Sequence, residues 1–317
     1  MTITQLKYVL AVSEHKNFTR AAEHVFVTQP TLSMQIQKLE EELNILIFDR
    51  SKKPIELTNL GKKIVNQARN IVNEAERMQD VVDQEKGFIG GEFKLGIIPT
   101  IMPTLLPMFL KNFTSKYPKV NLKIEELTTV EIISKLNDNH LDAAIAATPL
   151  LQEKIKERVL YFEPFVGYVP KTHRLNSKNK LDRTDLDVND ILLLEDGHCF
   201  RDNVVNICKN LKNSNAKDSF QLESGSIETL IKLSNEGFGM TLLPYLNTLD
   251  FSEKEQKEYL RYFIEPSPAR EVSLLYKKSE LKMQIINALY DSITGVIRGV
   301  IAFHNIKVVS PLKMKNI

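Results

Sequence analysis

The feature that bounds the fold most tightly is a change of rhythm at Gly87-Phe-Ile-Gly-Gly91. Upstream of it the apolar patterns have helical spacing apart from one short alternation at Ile55 and Leu57, and downstream short strand and helix patterns alternate. A chain of 317 residues is longer than one core usually holds, so the break reads as a domain boundary. After it come EFKLGII as a strand, PTIMPTLLPMFLKNFTSKY as a helical region, VNLKIEEL as a strand, TVEIISKLNDNH as a helix and LDAAIAAT as a buried strand. That order predicts a mostly parallel sheet with helices on both faces, and ligands beyond the carboxyl ends of its strands. FEP at 162–164 and IEP at 264–266 bracket the middle third, and they predict a crossing to a second lobe and a return. The fold class expected is therefore α/β. Residues 1–58 form a helical head, 59–87 a long linking helix and 88–317 a two-lobed module, with lobe I at about 88–163 and 267–300 and lobe II at about 164–266. The tail from Ile301 onward, mixed apolar and basic, finds no place in this plan.

The head carries its own signature. Thr2 can cap a helix with Ile3, Leu6, Val9 and Leu10 on one face, and Asn17 or Thr19 can cap a second with the slim pair Ala21-Ala22. Thr28 caps a third, Pro30 suits its first turn, and Leu32, Ile36, Leu39 and Leu43 give it one buried face. Its other face offers Gln29, Thr31, Ser33, Gln35 and Lys38, a solvated surface by default. Two helices joined by a tight turn, the second with a polar exposed face, form a helix-turn-helix, whose second helix reads the DNA major groove. The following FDRSKKPIELTNLGKK groups Arg50, Lys52 and Lys53 ahead of Pro54 and the Ile55/Leu57 alternation, the pattern of a small hairpin wing that carries cations to phosphate. From Thr58 to about Lys86 nothing breaks a helix, and Ile64, Ala68, Ile71, Ala75, Met78 and Val82 step by four and three. Such a seam fits a second copy of itself, the alternative being packing on its own domain.

The net charge of +2 announces no nucleic-acid partner by itself, so any such surface is local. No apolar run reaches the ~20 residues of a membrane span, and the N-terminus lacks a secretory pattern, which predicts a cytoplasmic protein. The six histidines are scattered, no Cys/His set has metal-ligand spacing, and GKKI at Gly61 lacks the upstream glycine of a phosphate loop. No cofactor or metal is expected.

Both cysteines, Cys199 and Cys208, lie in LLLEDGHCFRDNVVNICKN. Leu192 to Leu194 read as a strand end, Glu195-Asp196-Gly197 as a turn and the rest as a helix, which puts Cys199 at a helix N-terminus beside His198 and close to Arg201. Free amides and nearby cations lower a thiol pKa and favour the thiolate. Cys208, among valines and isoleucine, reads as the more buried of the two. A nine-residue helical step rises ~13.5 Å, against about 7 Å between the Cα atoms of a disulfide, so the two could bond only if the segment refolds. Two unrelated packed thiols and a reactive pair both remain open, the former being the commoner role of free cysteine.

The run FTRAAEHVFVTQPTLSMQIQKLEEELNILIFDR resembles the winged helix-turn-helix signature of LysR-type transcriptional regulators, and the likeness in architecture extends over nearly the whole chain. LEDGHCFRD followed by Cys208 resembles the segment found in the hydrogen-peroxide-sensing members of that family. The resemblance implies a winged helix-turn-helix, a linker helix for dimers, and a periplasmic-binding-protein-like regulatory module that pairs into tetramers. It implies contacts to promoter DNA from Thr28, Gln29, Pro30, Thr31, Ser33, Gln35, Lys38, Arg50, Lys52 and Lys53. It also implies a peroxidatic role for Cys199, a resolving role for Cys208, and a peroxide pocket built from Thr100, Thr129, His198 and Arg270. Asp202 matches the acidic end of the motif without a role, and Ser226 falls in a cleft-lining region. A thiol reductant of the glutaredoxin or thioredoxin type and RNA polymerase are the further partners implied. Met34 stands where many relatives carry arginine or a small residue. Two other functions compete: a LysR-type regulator answering a small organic effector in the interlobe cleft, and a thiol peroxidase. The missing C-x-x-C and the DNA-binding head speak against the second, so no enzymatic turnover is expected.

Overall fold

The computed structural model describes residues 1–85, 89–208, 225–301 and 305–312. It falls into two units, Met1–Phe88 and Ile89–Ile317.

In the first unit, helix α1 (Ile3–His15) opens on a capping box, the Thr2 hydroxyl accepting from the Gln5 amide while the Gln5 side chain accepts from Thr2. Asn17 caps α2 (Phe18–His24) through the Thr19 and Arg20 amides, and Thr28 caps α3 (Gln29–Leu43), with Pro30 in its first turn. The wing is a short antiparallel pair, β1 (Phe48–Asp49) and β2 (Glu56–Leu57), and α4 (Asn59–Glu85) follows. Gly61 is required at the start of α4, because a Cβ there would stand 2.0 Å from the Ile47 carbonyl oxygen.

One core joins Leu6, Val9, Val12, Ala21, Leu32, Ile36 and Leu39 to Val65, Ala68 and Val72 of α4. The expected seam on α4 is thereby divided. Ala68 is fully buried in the head, and Ile64 and Ile71 pack against it. Burial of a valine is worth about 1.5–3 kcal/mol, which decides in favour of the unit's own core. At the far end of the helix Met78 is 73% and Val82 41% exposed.

The second unit is built on a sheet in the order β4-β3-β5-β10-β6-β9-β7. Strand β3 (Gly91–Ile97) runs parallel to β4 (Val120–Glu126) and β5 (Ala143–Thr148), with α5 (Met102–Lys116) and α6 (Thr129–Asn137) as crossovers. The expectation of a mostly parallel sheet holds for these three strands and for two short pairs, Lys180–Leu181 beside Tyr262–Phe263 and Ser267–Ala269 beside Ile306–Val308, while the middle of the sheet is antiparallel. Long β6 (Ile155–Tyr168) passes out of the first lobe, and its residues Phe165–Tyr168 pair antiparallel with a strand of the second. Pro164 therefore lies inside a strand rather than ending one.

In the second lobe come β7 (Lys180–Leu181), α7 (Cys199–Ile207), α8 (Ile227–Asn235), β8 (Thr241–Pro244), α9 (Glu253–Tyr259) and β9 (Leu260–Phe263). The chain returns through IEP into β10 (Ser267–Lys277), antiparallel to both β5 and β6, and then α10 (Met283–Ile297). A strand that returns from a second lobe enters the first from the opposite end, which is why the middle of the sheet is antiparallel. The strand expected at Leu192–Leu194 is irregular, with a single bridge from Ile191 to Met240.

Each lobe has its own apolar core. The first gathers Phe93, Leu95, Phe109, Ile145 and Leu289, and the second Phe165, Leu181, Phe200, Val204 and Leu242. The tail that the sequence left unplaced supplies β11 (Ile306–Val308), parallel to Ser267–Ala269 of β10. Beyond it the Asn203 side chain donates to the Val309 carbonyl at 2.8 Å, and Asn206 donates to the Ser310 and Leu312 carbonyls at 2.9 Å. Among the described residues no helix is long and apolar enough to cross a membrane.

Candidate redox site and nucleic-acid interface

Helix α7 starts at Cys199 and ends with Cys208 as its capping residue, so one element carries both free thiols. They belong to different cores, Cys199 to that of the first lobe and Cys208 to that of the second. Cys199 lies at a recess lined by Ile98, Pro99, Thr100, Thr128, Thr129, Gly197, His198 and Phe200. Three loops build it: the β3–α5 turn brings Thr100, the capping turn of α6 brings Thr129, and the residues before α7 bring His198. This is the location expected of a ligand in an α/β sheet, beyond the strand ends.

Arg270, 1% exposed, does not line the recess but is bonded to Thr100, which does. Its Nη1 donates to the Thr100 hydroxyl at 2.8 Å and its Nη2 to the Thr100 carbonyl at 3.1 Å. Its Nε and Nη2 donate to Glu163 Oε2 at 2.9 and 2.7 Å, and the Phe200 ring lies 5.5 Å from the guanidinium carbon. Of the four residues expected around a peroxide, Thr100, Thr129 and His198 line the recess and Arg270 is joined to it through Thr100.

The electrostatics differ from the expectation of an acidic thiol. Burial pushes the Cys199 thiol up, and the Thr129 hydroxyl, the Arg270 charge and the Ala147 main chain pull it back without winning, while Asp202 adds to the rise. The helix N-terminus and neighbouring cation are outweighed because the sulfur is desolvated. Arg201, expected near the thiol, instead donates to the Leu194 carbonyl and pairs with Asp196. The Thr129 hydroxyl lies close enough to favour the thiolate, yet it is buried and makes no hydrogen bond of normal geometry. His198 is buried, with Nε2 3.4 Å from Glu195 Oε1. Burial, with Asp190 and Asp187 adding to it, pushes the Cys208 thiol up to about 12, against the opposing pull of Arg183. Ser226 does not line the recess; its hydroxyl caps α8 by accepting from the Thr229 amide.

In the head, Thr28, Gln29, Pro30, Thr31 and Lys38 are exposed at or along α3, as are Lys52 and Lys53 in the wing. Several are already engaged. The Gln35 side chain accepts from Gln5, Ser33 accepts from Arg50 at 3.2 Å, and Lys52 pairs with Glu56 at 2.6 Å. Arg50 also donates to Glu40 at 3.0 Å and lies 5.0 Å from the Phe18 ring centroid, so it braces the wing against α3. Glu40, buried and accepting from the Ile47 and Phe48 amides, is the counter-charge that the sequence reading passed over. So is Glu163, which the sequence offered only as part of the FEP punctuation. Met34 is exposed on α3.

Two family descriptions match the chain: "Bacterial regulatory helix-turn-helix protein, lysR family" over residues 3–62 and "LysR substrate binding domain" over residues 86–297. A hydrogen peroxide-inducible genes activator of Pectobacterium carotovorum subsp. carotovorum is 31% identical, with 94% of this chain and 98% of that protein covered. The structure of a full-length OxyR variant from Pseudomonas aeruginosa superposes with a TM-score of 0.74 at 33% identity, covering 93% of this chain and 98% of that one. A hydrogen-peroxide-bound cysteine-to-serine variant of Corynebacterium glutamicum OxyR gives 0.62 at 26% identity, covering 94% and 93%. With a helix-turn-helix head and a regulatory unit that match these descriptions over most of their length, the chain belongs to the LysR family of bacterial helix-turn-helix transcriptional regulators, among proteins of the OxyR type.

Proposed function

We propose that this regulator, which senses hydrogen peroxide and controls oxidative-stress genes, does so through a reversible disulfide between Cys199 and Cys208. The observation that carries the reading is a recess whose polar groups suit a molecule with two O–H donors and two acceptor oxygens. The Thr100 oxygen accepts from Arg270 and so keeps its own proton to donate, and the Thr129 hydroxyl, beside the Cys199 sulfur, makes no hydrogen bond of normal geometry. His198 borders the same space.

The Cys199 thiolate attacks one peroxide oxygen, an S–O bond forms as the O–O bond breaks, and the departing hydroxide takes a proton to leave as water. The resulting sulfenic acid is attacked by the Cys208 thiolate, which forms the S–S bond and releases a second water. In sum, one peroxide and two thiols become one disulfide and two waters. With its thiol pushed up to about 12 by burial, Cys208 is held protonated in the fold. It reacts only after α7 leaves the second core, which also removes the ~13.5 Å helical rise between the two residues. Oxidation therefore unpacks a defined element of the regulatory unit.

That change reaches DNA through subunit pairing: dimers form through the far end of α4, tetramers through the regulatory units, and the heads are respaced on a two-fold promoter site. Thr28, Gln29, Pro30, Thr31 and Lys38 face bases and phosphates, Lys52 and Lys53 reach phosphate from the wing, and Ser33, Gln35 and Arg50 hold α3 and the wing in register while bordering the same surface. A glutaredoxin- or thioredoxin-type reductant resets the disulfide in the cytoplasm, and RNA polymerase is the downstream partner. The test is footprinting on the protein's own promoter with reduced and peroxide-treated protein, combined with trapping of both thiols. The expected result is a changed footprint that appears with the Cys199–Cys208 link and is lost in Cys199→Ser. A changed footprint in Cys199→Ser would point to an organic effector and overturn the reading.

A further inference from the structure

We infer that Glu163 is a positioning residue of the peroxide reaction: it holds the Arg270 guanidinium on Thr100, and through it aims the Thr100 hydroxyl into the recess. The inference rests on the reading of the recess as a peroxide site. Neither Glu163 nor Arg270 is more than 1% exposed, so this ion pair lies out of water and its geometry is set by protein groups alone. The two residues face each other across the β6–β10 pairing, Arg270 opposite Glu163, which fixes their separation by backbone register rather than by side-chain preference.

The carboxylate is anchored at both oxygens. Oε2 accepts both Nε and Nη2 of Arg270, and Oε1 accepts the Leu246 amide at 2.9 Å. An arginine side chain has several rotatable bonds and would otherwise have a choice of partners. Held at Nε and Nη2, the planar fork has one direction left for Nη1, and that direction ends on the Thr100 hydroxyl at 2.8 Å. A hydroxyl that accepts from a cation turns its proton away from it. Here the proton turns towards the recess that Thr100 lines with Cys199. The leaving hydroxide of peroxide cleavage is where negative charge develops, and a donor preset for it gains most in that step.

The groups that face Cys199 are the Thr129 hydroxyl, Arg270, the Ala147 main chain and Asp202, and the desolvated sulfur is held above its ordinary pKa. The buried Tyr161 hydroxyl, two residues from Glu163 on β6, feels both members of the ion pair and has no hydrogen-bond partner. Glu163 thus directs Arg270 towards Thr100 and is not itself among the groups that act on the sulfur.

The test compares Glu163→Gln and Glu163→Asp with the native chain in two reactions of the full-length protein: oxidation of Cys199 by hydrogen peroxide, and alkylation of the same thiol by iodoacetamide across a pH range. Alkylation reports thiol ionisation but makes no use of the Thr100 donor. The expected result for Glu163→Gln is a fall of tenfold or more in the peroxide rate, with alkylation of the same thiol changing by less than threefold. Glu163→Asp recovers part of the peroxide rate. In a Thr100→Val background, which removes the donor through which Glu163 acts, Glu163→Gln costs less than threefold further. Equal loss in both reactions, or full additivity of the two substitutions, would overturn the inference and leave Glu163 a structural residue. If Glu163→Gln fails to fold, Glu163→Asp with the Thr100→Val cycle decides by the same criteria. A native protein whose Cys199 ignores peroxide would instead refute the function on which this rests.

Discussion

Replacing Thr129 by valine separates resting stability from reactivity. The substitution keeps the shape of the side chain and its β-branching at the first position of α6, where the backbone cap is supplied by Thr128. The Thr129 hydroxyl is buried without a hydrogen bond. An unsatisfied buried donor costs about 1–3 kcal/mol, so its removal leaves the folded protein unchanged or more stable. At about 2–4 °C per kcal/mol for a unit of this size, the melting temperature holds or rises by a few degrees. The reaction behaves oppositely. The same hydroxyl favours the Cys199 thiolate, and a hydrogen bond to a charged group is worth about 1.5–3 kcal/mol, so peroxide oxidation slows by roughly 10- to 150-fold. Stopped-flow measurement of thiol loss at neutral pH, alongside a thermal melt, reads both quantities on one preparation. A rate within twofold of native, or a drop in stability beyond about 1 kcal/mol, would show that Thr129 does not await a ligand.

Four further outcomes follow from the same geometry. The raised Cys208 thiol favours the protonated form in the fold, so its contribution is complete below the ordinary value of 9.0 and is lost as pH rises towards about 12; urea titrations fall by up to ~1.4 kcal/mol per pH unit over that window, and Cys208→Ala removes that part of the slope. Gly61→Ala forces a Cβ against the Ile47 carbonyl; calorimetry shows the head destabilised by more than the ~1–3 kcal/mol of ordinary overpacking, with specific DNA affinity lost. Asn203→Ala leaves the Val309 carbonyl without its donor and lowers the stability of the regulatory unit by about 1–3 kcal/mol in denaturant unfolding. Lys53→Ala weakens binding to all DNA sequences alike and reduces the salt slope in fluorescence titrations by about 1, whereas an effect confined to one sequence would remove Lys53 from the phosphate contacts.

Much of the redox helix was legible before any fold was known. A turn at Glu195–Gly197 followed by a helix opening on Cys199 is written in neighbouring residues, and the nine-residue step to Cys208 already implied that bonding requires refolding. The sign of the thiol shift was not legible. The sequence displays His198, Arg201 and a helix N-terminus beside the sulfur, but it does not display the desolvation that outweighs them. The linker seam is divided for a similar reason. A four-three rhythm marks which residues are buried, while α1 and the rest of the head decide that Ala68 is covered within the unit and Met78 is not.

What the sequence determined alone is the local layer. Thr2, Asn17 and Thr28 start three helices, Leu32, Ile36 and Leu39 give the third its buried face, and one segment carries both thiols, because caps and helical periodicity act between residues a turn apart. Tertiary structure alone decided the constellation behind the sulfur. Thr100, Glu163 and Arg270 come together only when β10 returns antiparallel against β6 and places residue 270 opposite 163, and Asn203 and Asn206 find their acceptors only when the tail lies along α7. Strand register and tail docking are settled by which buried surfaces fit across the whole unit, and no short stretch of chain contains that information.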